Sequence, residues 1–436
     1  MYALYNIILL IAALLAVPYY ALKMMLTGKY RKSLGPKLGF NNPEIFRDMQ
    51  GSPRIWIHAV SVGEVTAAAP VVASLRTCYP QSCIVLSTST ETGQEMARRL
   101  VGDSASLIYY PLDFPWVVRK VIHQVKPDIF VLTETELWPN FLRACKDQGV
   151  RVVMVNGRIS PRSFKRYAVT KFFWKGILDL VEELGVISQI DAERLEVLGA
   201  PASKVHVVGN AKYDSLAAKA SPELEEEISG ALHIPAGDRV FVAGSTHEGE
   251  DSIVLDVYKR LLAHYPDCKL IIVPRHPERA QAVLSLAGQY GFDDCTLMSA
   301  IKSGRPRTAE RVVIVDVIGE LFRVYSLASV VFCGGSLVPK GGQNILEAAA
   351  WGKVICYGPF MDDFREEREL LEQTGAGVTV GSGEELFVEI MKCMSDPREC
   401  MRRGEKGRAA VLENMGAAQR YAEMIARHIK GDRLLF

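Results

Sequence analysis

The sequence has no Cys-x-x-Cys pair and no cysteine and histidine cluster at metal-ligand spacing, and only eight histidines occur in 436 residues. Its nine cysteines are scattered, which argues against a disulfide frame or a zinc site and for reduced, buried thiols in a cytosolic fold. An excess of either charge is also missing. Lys and Arg number 51 against 50 Asp and Glu, a formal net charge of +1, so a strongly basic nucleic-acid binder is excluded and no nucleic-acid partner is expected. No short-period repeat is evident, which excludes solenoids and propellers. Hydrophobic residues make up 49% and charged residues 23%, the balance of an ordinary globular protein rather than a disordered one.

Charge is absent altogether before Lys23. The stretch "MYALYNIILLIAALLAVPYYALKMML" (1–26) is long enough to cross a bilayer core of ~30 Å at ~1.5 Å per residue. Lys23, Lys29, Arg31, Lys32 and Lys37 follow it, which by the positive-inside rule keeps the rest of the chain in the cytoplasm. A cleaved signal peptide fits poorly, because the positive charge follows the apolar run instead of preceding it. Pro18 with Tyr19-Tyr20 could kink the segment or hold it at the interface, so both a single-pass and a monotopic anchor are open readings.

Cores stop growing at about 250–300 residues, so a chain of this length is expected to form two domains. From residue 54 apolar strand runs alternate with amphipathic helical patterns: "IWIHAV", "SCIVLSTST", "SLIYYPL", "DIFVLTETE", "VRVVMVNGRIS", "ELGVIS" and "KVHVVGN". The rhythm restarts at "RVFVAGST" and continues through "CKLIIVP", "VVIVDVIGELFRVYSLASVVFCGGS" and "KVICYGPF". Short, nearly continuous apolar strands separated by helices predict parallel sheets covered on both faces. The expected class is α/β, with two Rossmann-like, doubly wound domains facing a cleft. The boundaries read as an anchor at 1–26, an N-terminal domain at 27–214, and a charged, Pro/Gly-punctuated linker at 215–235. A C-terminal domain at 236–415 follows, then a helix at 416–436 that is a candidate to pack back on the N-terminal domain.

In such sheets ligands bind beyond the carboxyl ends of the strands. Glu64, Glu134, Glu136, Arg158 and Lys212 all fall there in the first half. So do "AGSTHEGE", "PRHPER", "VIGE" and "GGSLVPKGGQNILEAAAWG" in the second. Glu64 has two readings, a general base at the sheet edge or a first-turn acid that favours the helix dipole. The glutamates of "TETELWPN" lie two apart, hence on one face if the strand continues through them. Paired glycines before a helix beginning near Asn344 let backbone N–H groups approach an anion, although the string is neither a Rossmann nor a Walker loop. Glu347 suits a ribose hydroxyl or merely the helix dipole. Arg275 suits an anion or a salt bridge, and His276 a structural hydrogen bond. "STHEGE" reads as a helix start capped by Ser245 or Thr246, with no catalytic role for His247.

Taken in order after the apolar segment, "HAVSVGE", "TETELWPN", "NGRIS", "GNAKYD", "STHEGE", "PRHPER", "GELFRVY" and "GGSLVPKGGQNILEAAAWG" resemble the 3-deoxy-D-manno-octulosonic acid (Kdo) transferases of lipopolysaccharide biosynthesis. The resemblance runs over residues 1–430. It implies a GT-B glycosyltransferase with an acceptor half first and a nucleotide-sugar half second. It also implies inverting transfer of Kdo from CMP-Kdo to lipid IVA at the cytoplasmic face of the inner membrane, with no metal and no cofactor. Residue by residue it implies Glu64 as proton acceptor, with Glu134 and Lys212 stabilising the transition state. CMP contacts fall on Pro274 and Arg275, on Ile318, Gly319 and Glu320, and on Asn344, Ile345, Leu346 and Glu347. Arg158 and Arg162, with Arg31, Lys32, Lys165 and Arg166, are candidates for the phosphates of the lipid acceptor, and the basic residues of "SPRSFKRY" read equally as a solvated face. The chain departs from the family at Gln343, where a histidine is usual, and at Phe360 and Asp363 of "GPFMDDF". Two other classes compete. A sugar-nucleotide epimerase of the same fold would need no anchor and would use a UDP donor. A non-catalytic membrane partner would have no reason to keep Glu64, Glu134 and Lys212 together.

Overall fold

The computed structural model describes residues 2–27, 31–47, 49–214, 220–235, 237–304 and 310–429. It divides the chain into two compact units, one of Met1–Ser215 with Met415–Phe436, the other of Leu216–Asn414. Each unit is an α/β sheet of seven parallel strands, and the pair makes up a fold of the GT-B kind.

In the first unit the strands are β1 (Arg54–His58), β2 (Cys83–Thr88), β3 (Ser106–Tyr109), β4 (Ile129–Thr133), β5 (Arg151–Gly157), β6 (Glu183–Val186) and β7 (Val205–Val207). Their order is β3-β2-β1-β4-β5-β6-β7, so the winding reverses between β1 and β4. The strand runs are almost wholly apolar because both faces are covered. Along β1 and β4, Trp56, Phe130 and Leu132 enter one core, with Val118, Ile122 and Phe141 of the covering helices. Ile55, Ile57 and Val131 enter the other, with Val65, Ala68 and Val72 of the helix Val62–Cys78. The side-chain period of two sorts one continuous run into two cores.

The helix Ala417–Ala426 returns from the far end of the chain to this second core, and Tyr421, Met424 and Ile425 are fully or almost fully buried there. Asp214 accepts the backbone N–H groups of Gly416 and Ala418 at its start. Gly185 in β6 has no room for a side chain, since a Cβ there would lie 2.6 Å from the Tyr421 ring.

In the second unit the strands are β8 (Val240–Thr246), β9 (Lys269–Pro274), β10 (Cys295–Leu297), β11 (Val312–Ile314), β12 (Val330–Cys333), β13 (Ile355–Tyr357) and β14 (Gly377–Thr379). Their order is β10-β11-β9-β8-β12-β13-β14, with the reversal between β8 and β12. Of the expected linker at 215–235, residues 215–219 lie outside the described residues. From Pro222 the chain is a helix, Pro222–Leu232, whose Ile228 and Leu232 are buried within the second unit. Its charged face resembles a linker in composition, but two apolar positions four residues apart are enough to dock it.

Ser245 and Thr246 do not cap a helix as expected. Both are buried as the last two residues of β8, and the next helix starts at Glu250 behind Gly249.

The Tyr421 ring is fully buried and its hydroxyl donates to the Gly209 carbonyl at 2.8 Å. Replacing Tyr421 by Ala should therefore destabilise the first unit by about 3–5 kcal/mol through the cavity and the orphaned carbonyl. Denaturant unfolding followed by fluorescence measures it; a loss well below 1 kcal/mol would mean that the returning helix is not part of this core.

Candidate active site

The first sheet's reversal point brings the carboxyl ends of β1 and β4 side by side, and the residues that follow them carry the acids. After β1 the chain turns at Ser61 into the helix Val62–Cys78, placing Glu64 in its first turn. The Ser61 side chain does not cap the helix; its hydroxyl donates to Glu64 Oε1 at 3.0 Å, and the Val60 N–H donates to Oε2 at 2.8 Å. Glu64 thus does serve the helix start, as the plainer of its two readings had it. An ionised carboxylate offers about four lone-pair sites, however, and these bonds use two of them. The residue is 6% exposed. Burial pushes its pKa up to about 7, opposed by the two hydrogen bonds and reinforced by the charges of Glu134 and Glu136.

Glu134 does not continue the strand. Its φ of 58° is left-handed, so the chain leaves β4 at Thr133 and the strand does not continue through the two glutamates. Glu134 meets the Lys212 ammonium at 3.3 Å, both side chains being about one quarter exposed. Glu136 instead accepts the Trp138 indole N–H at 3.1 Å, and burial raises its pKa.

Lys212 is placed by side-chain hydrogen bonds to the backbone of its own loop. Asn156, near the end of β5, accepts the N–H of Ala211 at 2.9 Å, and Asn210 accepts the N–H of Lys212 at 3.1 Å. The ammonium lies 4.0 Å from where a Cβ of Gly63 would stand, so it also faces the helix start that carries Glu64. Glu64, Glu134 and Lys212 are thereby brought together. Arg158 follows β5, with its carbonyl accepting the Thr135 hydroxyl, and Arg162 stands exposed in the first turn of the helix Pro161–Val169. The side chains of Arg31 and Lys32 lie outside the described residues.

The carboxyl edge of the second sheet is built around a carboxylate that the sequence reading passed over. Glu250 is fully buried, and its oxygens accept four backbone N–H groups: His247 at 2.9 Å, Gly335 at 2.7 Å, Ser336 at 3.0 Å and Leu337 at 2.9 Å. This corrects the expectation that the first glycine pair offers its amides to an external anion. An internal anion already occupies the Gly335 amide, and the Gly334 N–H bonds the Gly244 carbonyl at 2.8 Å. Gly334 is needed for close approach instead, since a Cβ there would lie 2.6 Å from the Ser245 carbonyl oxygen.

The helix after the second glycine pair is short, Leu346–Ala349, and Ile345 and Leu346 are buried, so they can offer a ligand only their main chain. Asn344 Oδ1 accepts the Leu346 N–H at 3.1 Å and Glu347 stands half-buried beside it. Pro274 ends β9, and the Arg275 backbone N–H bonds the Thr246 carbonyl at 3.0 Å. The Arg275 guanidinium is exposed and has no ion-pair partner among the described residues, whereas Arg279 is the one paired, with Asp251. Between its two readings, the salt bridge falls away. Ile318 and Gly319 are exposed on the loop after β11. Glu320 is buried; its Oε1 accepts from Lys302 at 2.5 Å, while Oε2 makes no hydrogen bond and lies 3.9 Å from the Arg323 guanidinium. Gln343 lies against Gly335, Asp363 against Gly341, and the Phe360 N–H bonds the Ser336 carbonyl at 3.0 Å, so all three departures border the glycine loops. His247 and His276 approach edge to face at 6.0 Å.

Replacing Glu250 by Ala strands four N–H groups, at about 1–3 kcal/mol each for those that water cannot reach. Amide exchange at Gly335, Ser336 and Leu337 should accelerate by orders of magnitude, with the first unit's exchange unchanged. Unaltered protection at these amides would show that the loop is held by something else.

Comparisons with known proteins follow the same lines. The family model for 3-deoxy-D-manno-octulosonic-acid transferase (kdotransferase) matches residues 32–215. The 3-deoxy-D-manno-octulosonic acid transferase of Haemophilus influenzae is 32% identical over 428 residues, 98% of this chain and 98% of its own. Among solved structures, a glycosyltransferase from Rickettsia africae is similar with a TM-score of 0.56 at 14% identity, over 87% of this chain and 99% of that one. A UDP-GlcNAc 2-epimerase from Neisseria meningitidis bound to UDP-GlcNAc has a TM-score of 0.57 at 14% identity, over 86% and 99%. Likeness at that identity speaks for the fold alone. The sequence match over nearly the whole chain decides between them: this chain belongs to the Kdo transferases, glycosyltransferases of lipopolysaccharide biosynthesis.

Proposed function

We propose that the chain moves Kdo from CMP-Kdo onto the lipid A precursor lipid IVA, with inversion and without a metal, at the cytoplasmic face of the inner membrane. The observation that carries this reading is Glu64: a carboxylate at the reversal point of a parallel sheet, raised to a pKa of about 7 and with lone pairs to spare. A sugar hydroxyl is a poor nucleophile, so a base within about 2.6–3.2 Å should take its proton as the new C–O bond forms. A pKa near the working pH suits that task.

The proton of the acceptor hydroxyl passes to Glu64 while its oxygen bonds the anomeric carbon. The bond from that carbon to the CMP oxygen breaks, and CMP departs with the electron pair. CMP is already a good leaving group, so no general acid is assigned. Positive charge growing at the anomeric carbon is stabilised by the Glu134 carboxylate, and Lys212, paired with it, stabilises negative charge. With no enzyme nucleophile in the sequence of events, one displacement inverts the centre.

The second unit is assigned the donor nucleotide. Arg275, exposed and without an ion-pair partner among the described residues, supplies a cation for the phosphate; Glu320 Oε2 and Glu347 supply acceptors for nucleoside hydroxyl or amino groups. Pro274, Ile318, Gly319, Asn344, Ile345 and Leu346 frame them. The apolar helix Tyr2–Thr27, long enough by length and composition to cross a membrane, keeps the chain on the bilayer that holds its lipid acceptor. Arg158 and Arg162 are assigned to acceptor phosphates.

Purified protein incubated with lipid IVA and CMP-Kdo, with product masses counted, tests the reading directly. Glu64→Gln keeps an acceptor for the Val60 N–H and should lower turnover by about 10²–10⁴-fold with CMP-Kdo binding retained. In the unaltered enzyme kcat/KM should fall as pH drops through about 7, because a protonated Glu64 cannot accept a proton. Substantial turnover by Glu64→Gln would remove it as the base.

A further inference from the structure

The helix Tyr2–Thr27 is ~39 Å long at ~1.5 Å per residue, and a helix that crosses a bilayer places its ends on opposite sides of ~30 Å of hydrocarbon. Here both sides of the segment are tied to the same place. At the start, the Tyr5 hydroxyl donates to Asp113 Oδ2 at 2.9 Å, and Asn140 Nδ2 donates to Asn6 Oδ1 at 2.6 Å. The Tyr2 and Tyr5 rings meet Phe173 at 6.5 and 6.2 Å, and the Arg143 guanidinium lies over Tyr2 at 4.5 Å. Beyond the helix, the Lys37 carbonyl accepts the N–H of Leu112 at 2.8 Å, and Ser33 is fully buried. Residues 5 and 37 thus bond neighbouring positions, Asp113 and Leu112, of one unit.

The contacts of Tyr2, Tyr5 and Asn6 lie in the first two turns, and beyond them one face of the helix is only less exposed than the other. Tyr2, Tyr5, Asn6, Leu9, Ala13 and Ala16 are partly covered, a spacing of three and four that marks one helical face. Leu4, Ile8, Ile11, Leu14, Leu15 and Val17, between 53% and 75% exposed, form the opposite face. Asp113 is no incidental partner. It is buried and also accepts the N–H groups of Asn140 and Phe141 at the start of the helix Pro139–Asp147, so the latch is rooted in the unit's own framework.

We infer that this helix does not span the membrane but lies in the plane of one leaflet, tied to the first unit at its start and again through the segment beyond it, with its exposed apolar side chains in lipid. The surface around the dock has the chemistry of that partner. Trp116 and Phe172 stand 61% and 67% exposed, one three residues from Asp113, the other next to Phe173. Arg162, Lys165, Arg166 and Lys175 are exposed on the adjoining helices Pro161–Val169 and Lys171–Leu178. Apolar side chains flanked by cations fit an anionic lipid surface. An in-plane helix keeps its amino terminus on the side of the catalytic units, whereas a spanning one delivers it to the far side.

The inference rests on the membrane attachment proposed above, and one experiment separates the two. The full-length chain is made with a hydrophilic epitope tag joined through a flexible linker before Met1, in a Gram-negative host. Membranes are pelleted, and intact and lysed spheroplasts are treated with protease. The tag should survive on intact spheroplasts and be lost on lysis, with the protein in the membrane pellet. Loss of the tag on intact spheroplasts, with the protein still pelleted, overturns the in-plane helix and leaves membrane attachment standing. Recovery of the protein in the soluble fraction overturns the attachment itself, and with it this inference.

Discussion

Moving a carboxylate out of water is opposed more strongly than two hydrogen bonds can offset, and the first unit keeps Glu64 in that condition. Its pKa of about 7 is the visible consequence. The sheet sets the terms. Because every strand is parallel and both faces are packed, the only places for polar chemistry are the strand ends, and the winding reversal between β1 and β4 opens one of them. Glu134 and Glu136, following β4, add negative charge near Glu64 and push in the same direction as burial. Lys212 pairs with Glu134, so the cation sits beside the acids while Glu64 remains easy to protonate.

Glu250 shows the other outcome of the same geometry. It too follows a central strand at a reversal point and stands at the head of a helix, and it is buried more completely. Four backbone N–H groups converge on it, which fills its lone pairs. Such an acid cannot accept a substrate proton without giving up a structural bond. The count of donors, two against four, separates the carboxylate suited to chemistry from the one that folds the loop of Gly334 to Leu337. In unit two the proposed ligand contacts fall instead to exposed groups such as Arg275 and to Glu320, whose Oε2 makes no hydrogen bond.

Much of this was legible in the sequence. All seven strands of the first sheet were visible as apolar runs, and so were β8, β9, β11, β12 and β13, because a strand covered on both faces needs nearly continuous hydrophobicity. The three-residue edge strands β10 and β14 were not, since "CTL" and "GVT" are too short to carry a period. Placement at strand ends brought out Glu64, Glu134, Lys212 and Arg275. Side-chain direction was harder. Periodicity cannot see that Glu134 takes a left-handed turn, nor that Glu250 reaches back to the amides of a loop about 85 residues on. "STHEGE" signalled a helix start correctly but misplaced its cap, because Ser245 and Thr246 were needed to finish β8. Asn156 and Asn210, which hold the Lys212 loop, gave a signal only through "NGRIS" and "GNAKYD" as strings; nothing local told that one would bond the other's neighbour.

The apolar segment at the start illustrates why composition alone stops short of topology. Uniform hydrophobicity says that a helix belongs with lipid, and length says that it could cross, but neither says where its ends are fastened. That information sits in the few polar groups the segment and its dock possess: Tyr5 and Asn6 on one side, Asp113 and Asn140 on the other. On the reading proposed above, an acceptor held in the bilayer must be met by a catalytic unit kept close to the surface, and a helix tied to that unit at its start and beyond its end would fix height and tilt together. A crossing helix, joined only through its trailing end, would fix neither. On that reading the polar latch on an otherwise apolar helix serves orientation, and it belongs to the same unit as Glu64.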